Sequence, residues 1–102
     1  MSLTGTWHLS IATPMGEQKA ELELVQHGPD QISGLTRTNQ DGERELADPR
    51  LKGNKLIWKS TFNRPFKVTA TMELTFDGDS VTGTAKAGML IPPAKIVGRR
   101  AP

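Results

Sequence analysis

Two histidines, no cysteine and a few scattered carboxylates define what chemistry this chain could carry. The absence of Cys removes thiolate nucleophiles, thiolate metal sites and disulfides. His8 stands on the outward side of an alternating segment and His27 stands in a turn, so the two do not converge on a metal. No cofactor is expected. No hydroxyl is placed beside a base in a pattern that would activate it as a nucleophile. Acid–base work would need a carboxylate whose pKa is raised by burial, and Glu17 and Asp48 are the only candidates. A different set is better suited to binding. Gln18, Thr36, Thr38, Arg44, Ser60 and Arg64 fall on inward or rim positions, with Gln26 and Asp48 lower down. Such groups either hydrogen-bond one another and water, or orient the polar head of an apolar ligand. Two arginines at a rim would suit a carboxylate.

The elements that must position these residues are strands. From Phe66 to Phe76 every even position is apolar and every odd one polar. Period two marks a strand with one buried face, whereas a helix would spread these residues around its surface. The same alternation runs through Trp7, Leu9 and Ile11, and through Ala20, Leu22 and Leu24. Segments 32–38, 56–62 and 81–87 follow it, and 43–48 and 94–100 do so more weakly. Gly-, Pro-, Asn- and Asp-rich turns separate them, including 13–16, 27–30, 39–42, 49–53, 63–65, 77–79 and 88–93. Seven turns of this length predict eight strands joined antiparallel, since crossover helices would not fit.

An internal repeat supports a closed sheet. Ala20 to Leu24 and Asp30 to Gly34 match Ala70 to Leu74 and Asp79 to Gly83, and Trp7 and Trp58 each precede a Pro by seven residues. Two similar halves closing on each other would leave no exposed edge. The expected fold is all-β: one domain over residues 1–102, an eight-stranded antiparallel up-and-down barrel. A barrel of that size is either filled by side chains or holds one small ligand. Large inward residues cluster near Trp7, Trp58 and Met72, and small ones at Gly34, Gly83, Ala85 and Ala87. The small residues either accommodate the indoles or leave a pocket.

Gly5-Thr6-Trp7 on the first strand resembles the Gly-x-Trp signature of the lipocalin and avidin families, and 32–36 is similar to an avidin-type third strand. In those barrels an Arg on the last strand packs over the Trp at the closed end. The resemblance assigns that role to Arg100 within Gly98-Arg99-Arg100, a cation–π cap on Trp7. The chain has no Tyr and no polar set matching a biotin site, so biotin binding is not implied. It is more similar to small bacterial lipocalin-like domains.

With Trp7 at the closed end, loops 13–16, 39–42, 63–65 and 88–93 surround the mouth. The resulting ligand site comprises Gln18, Thr36, Thr38, Arg44, Trp58, Ser60, Phe62, Arg64, Phe66, Ala85, Ala87 and Met89. The apolar run Met89, Leu90, Ile91 is a lid, a homodimer contact or a ligand entry. The favoured function is binding of a small hydrophobic or amphipathic molecule without chemistry. A small isomerase or cyclase that confines a reactive ligand, and an interaction module with a filled core, are the alternatives.

Residues 49–72 hold Arg50, Lys52, Lys55, Lys59, Arg64 and Lys67 and no acid, but the aromatics among them fall on the inward parity. Nucleic acid is therefore not an expected partner. The acids Glu43 and Glu45 are expected to pair with this basic face. The net charge of +2 gives no strong field toward membranes. No span-length apolar run and no leader-like start are present, so a soluble, cytoplasmic protein is expected.

Overall fold

The alternating segments form strands in the computed structural model. It describes residues 2–13, 16–38, 42–62, 68–87 and 93–102, and their side chains except those of Thr13, Thr61, Phe62 and Val68. In chain order the strands are β1 (Gly5–Thr13), β2 (Gly16–Gln26), β3 (Ile32–Thr38), β4 (Gly42–Glu45), β5 (Ala47–Lys52), β6 (Lys55–Phe62), β7 (Val68–Asp77), β8 (Ser80–Lys86) and β9 (Ala94–Arg100). They make one antiparallel sheet in the order β4-β3-β2-β1-β9-β8-β7-β6-β5. This is an up-and-down barrel, nearly closed, consistent with a calycin-like fold.

The ninth strand comes from a break in the expected fourth. Residues 42–52 run in one direction, but among the described residues β4 pairs with β3 alone and β5 with β6 alone. Leu46 separates them; its side chain is buried and its N–H donates to the Gly34 carbonyl at 3.0 Å. A bulge follows, where Ala47 opposes Lys59 but Arg50 opposes Ile57. Asp48 takes a φ of 51°, rare for a residue with a Cβ. One extra residue inverts the side-chain parity, so Leu51 turns inward and is buried. The expected turn over 49–53 is thus strand up to Lys52, and the turn is confined to Gly53-Asn54.

The repeat is visible in the pairing. Trp7 opposes Leu22 and Leu22 opposes Thr36; in the second half Trp58 opposes Met72 and Met72 opposes Ala85. Leu24 opposes Gly34 as Leu74 opposes Gly83. Both glycines are sites of close strand approach. A Cβ at Gly34 would lie 2.2 Å from the Glu23 carbonyl oxygen, and one at Gly83 would lie 1.9 Å from that of Glu73. Only Gly lets the leucine next to it swing over the neighbouring strand, and this tightens the sheet's curl.

The core fills the lower barrel around Trp7, Leu22, Leu24, Leu56, Trp58, Leu74, Phe76, Val81 and Ile96. Among the described residues no helix is long and apolar enough to cross a membrane.

Candidate functional site

The two ends of the barrel differ in chemistry. At the closed end, Trp7 is fully buried and packs edge-on against Phe76, with centroids 4.7 Å apart and planes at 70°. Arg100 lies over the indole at 4.4 Å. Its guanidinium also donates to the Thr4 carbonyl at 2.9 Å, the Ser2 carbonyl at 3.1 Å and the Asp79 carboxylate at 3.0 Å. The indole N–H donates to the Leu3 carbonyl at 3.0 Å, and Leu3 is itself buried. The Gln26 side-chain carbonyl accepts the Leu3 N–H, and its amide donates to Gly28. Asn54 brackets the Phe76 backbone, accepting its N–H and donating to its carbonyl. The expected placement of Arg100 over Trp7 therefore holds. Gln26, which the alternation places inward, and Leu3, which no periodic pattern marks, belong to the same plug.

Above Trp58 the inward residues change character. Ile11, Gln18, Thr36, Thr38, Arg44, Ser60, Ala85, Ala87 and Ala94 are small or polar for the most part, and all are only half-buried. No described polar or charged side chain is buried, so every inward polar group here keeps contact with water. Ile11, Ala85 and Ala87 rest on top of the core cluster. Phe62, Arg64, Phe66, Met89, Leu90 and Ile91 lie outside the residues whose side chains are described.

Four of the expected site residues meet in one place. Thr36, Arg44, Trp58 and Ser60 line a cleft of about 300 Å³, together with Glu45, Ala47 and Lys59. The cleft lies in the seam left where β4 follows β3 and β5 follows β6. Trp58, only 2% exposed, sits at its base. Thr36, Arg44 and Ser60 reach it from the inward parity, while Glu45, Ala47 and Lys59 are exposed and form its rim. Sequence parity places the first group inside; the strand break that opens the wall beside them is not visible in parity.

A wider, shallow depression of about 900 Å³ lies on the outer face of β9, β1, β2, β3 and β4, and Thr38 borders it. Its floor is a cross-strand row of charges: Arg99 opposes His8, His8 opposes Glu21, Glu21 opposes Arg37, and Arg37 opposes Glu43. His8, Glu21, Arg37 and Glu43 are held in ion pairs along this wall. Arg37 contacts Glu23 at 2.9 Å and Glu43 at 3.6 Å, and His8 lies 3.5 Å from Glu21. The hydrogen bond from Arg37 holds the Glu23 carboxyl below its ordinary range, and Glu23 raises the Arg37 guanidinium in turn. The depression is a charge-paired outer wall.

The chemical candidates resolve in the same way. Glu17 is exposed, and hydrogen bonds from Lys19 and Ser10 lower its pKa, the opposite of what a general acid at neutral pH requires. Asp48 is exposed on the bulge, 3.5 Å from Arg50. His8 and His27 are both exposed or rim residues, and His27 Nε2 lies 2.9 Å from Ser33 Oγ across the β2–β3 turn. His27 lines neither of the two clefts described above. Among the described residues no group of His, Asp and Glu could hold a metal. Among the described residues Glu43 does not pair with the basic stretch as expected. Glu43 pairs with Arg37, while Lys55 pairs with Glu73 at 3.1 Å and Arg50 with Asp48.

The sequence matches no protein-family model, and no curated protein or solved structure matches it.

Proposed function

We propose that this protein binds a small hydrophobic or amphipathic molecule at the open end of its barrel, without chemistry. One observation carries the reading. The inward residues pass from fully buried at Trp7, Leu22, Leu56 and Leu74 to half-buried at Gln18, Thr36, Arg44, Ser60, Ala85 and Ala87. A barrel evolved only to be filled would continue large apolar residues to the rim. Among the described residues above Trp58 this one presents, apart from Ile11, mainly alanines with a few hydrogen-bonding groups. That lining is the usual composition of a ligand pocket, apolar with a small number of polar anchors.

A lipocalin-like identity belongs to the same proposal, supported by the Arg100–Trp7 cap on a nearly closed antiparallel barrel. Cytoplasmic residence is proposed with it, on the absence of cysteine.

The test is a fluorescence titration with 1-anilinonaphthalene-8-sulfonate, repeated with Ala87→Trp, which fills the upper tier. The reading expects saturable enhancement with wild type and its loss with Ala87→Trp while the far-UV spectrum is unchanged. No enhancement with wild type would remove it in favour of an interaction module with a closed interior.

A further inference from the structure

We infer that the outer wall of β6, β8 and β9, at the open end of the barrel, is a docking surface for an anionic lipid bilayer. The choice of a bilayer rests on the ligand-binding reading above, which puts an amphipathic ligand at this end. The net charge of +2 averages two unlike parts of the chain. Eight of the 11 acids lie in residues 1–48, and ten of the 13 Lys and Arg lie in 49–102. Neither 49–72 nor 80–102 contains an acid. The sheet order keeps the two parts on separate walls, β1 to β4 and β5 to β9. Asp77 and Asp79, two of the acids in the basic part, lie at the β7–β8 turn of the closed end, and Glu73 is held by Lys55 at 3.1 Å.

Lys59, Lys86 and Lys95 form the patch. Lys59 opposes Thr71 and Thr71 opposes Lys86 in one cross-strand row, and Lys95 opposes Thr84, two residues before Lys86 on β8. Paired strands lie about 4.8 Å apart, so neighbouring lysines are spaced by about 10 Å or less, near the Debye length in dilute salt. All three are exposed, and among the described residues none has a carboxylate partner. Cations spread over three strands suit diffuse surface charge, and Lys, a hydrated point charge, suits it better than a single anion. Among the described outward residues of these strands none is aromatic, so a nucleic-acid base has no stacking platform. A second copy of the chain would have to offer its acidic wall. There Glu17, Glu21, Glu23 and Glu43 already pair with Lys19, His8 and Arg37. On an anionic bilayer that wall is turned away, which orients the barrel.

The experiment is co-sedimentation of the full chain with vesicles of equal parts phosphatidylserine and phosphatidylcholine, and with vesicles of phosphatidylcholine alone. Binding to the mixed vesicles is expected to be at least tenfold tighter in dilute salt and to vanish in concentrated salt. Lys59→Gln, Lys86→Gln and Lys95→Gln together should weaken it at least tenfold, with the thermal midpoint near that of wild type. Arg50→Gln, Lys52→Gln and Lys55→Gln together remove the same charge nearer the closed end, and should weaken it less than threefold.

Equal binding to both kinds of vesicle would overturn the electrostatic docking. Equal loss with the two triple variants, or undiminished binding of the first, would overturn the surface. Retention of duplex DNA at the same salt with the vesicles unbound would overturn the lipid assignment in favour of nucleic acid. Saturable enhancement of the naphthalene dye without vesicle binding would refute this inference and leave the ligand reading standing. Vesicle binding without dye enhancement would refute the ligand reading and leave the surface standing, and failure of both would refute both.

Discussion

The closed end and the open end of this barrel are built from the same strands, yet they solve opposite problems. Around Trp7, each polar group that approaches the indole has a partner: the Leu3 carbonyl for the ring N–H, and three carbonyl or carboxylate acceptors for Arg100. Around Ser60 and Ala85, the side chains are small and water reaches them. The contrast teaches where stability and function divide. Removing a methylene at the bottom opens a cavity among fixed neighbours, whereas a change at the top is absorbed by solvent.

The largest expected effect is at the bottom. Trp7→Ala should cost about 3–5 kcal/mol in urea unfolding, because the hole lies between Phe76 and the Arg100 plane. A loss below about 1 kcal/mol would mean that the closed end is not the stable half. Next is Gly83→Ala, expected to cost about 1–3 kcal/mol, since its Cβ would collide with the Glu73 carbonyl. The repeat predicts a similar cost for Gly34→Ala, and a marked inequality would show that the two halves are not mechanically equivalent. Arg100→Gln should cost about 1–2 kcal/mol, measured the same way, because a partly exposed guanidinium loses the ring contact and its hydrogen bonds. At the open end Ser60→Ala should change stability by less than about 0.5 kcal/mol. A large loss there would make Ser60 a core residue and erase the distinction.

The smallest effect is a pH dependence on the outer wall. Glu23 has a lowered pKa because Arg37 hydrogen-bonds its ionised form. Its contribution is therefore present above the unfolded Glu pKa, about 4.3. It is lost as pH falls through the lower folded value. Acid titrations of unfolding should show Glu23→Gln flattening that slope slightly; an unchanged slope would mean that the pair is fully screened by solvent.

Much of the fold was legible because the barrel buries one face of each strand. The alternation through Met72, Leu74 and Phe76 specifies both the strand and its inward side. The Trp7–Arg100 cap was implied by the family resemblance that Gly5-Thr6-Trp7 and Gly98-Arg99-Arg100 carry. The break at Leu46 was not legible. Residues 49–53 read as a turn, and a bulge reverses parity so that Leu46 and Leu51 are both buried despite their odd spacing. Leu3 was missed because it precedes the first strand and has no partner in the alternation. The cleft was half legible for the same reason. Parity placed Thr36, Arg44, Trp58 and Ser60 inside, but only the strand break brings them to one opening.

The most direct test of a barrel filled below Trp58 and receptive above it is an amide chemical-shift map recorded during titration with the naphthalene dye. The account predicts perturbations at Gln18, Thr36, Ser60, Ala85 and Ala87, with Leu3, Leu24 and Phe76 unmoved. Perturbations centred on the closed end, or confined to the charged outer wall around Arg37, would contradict it.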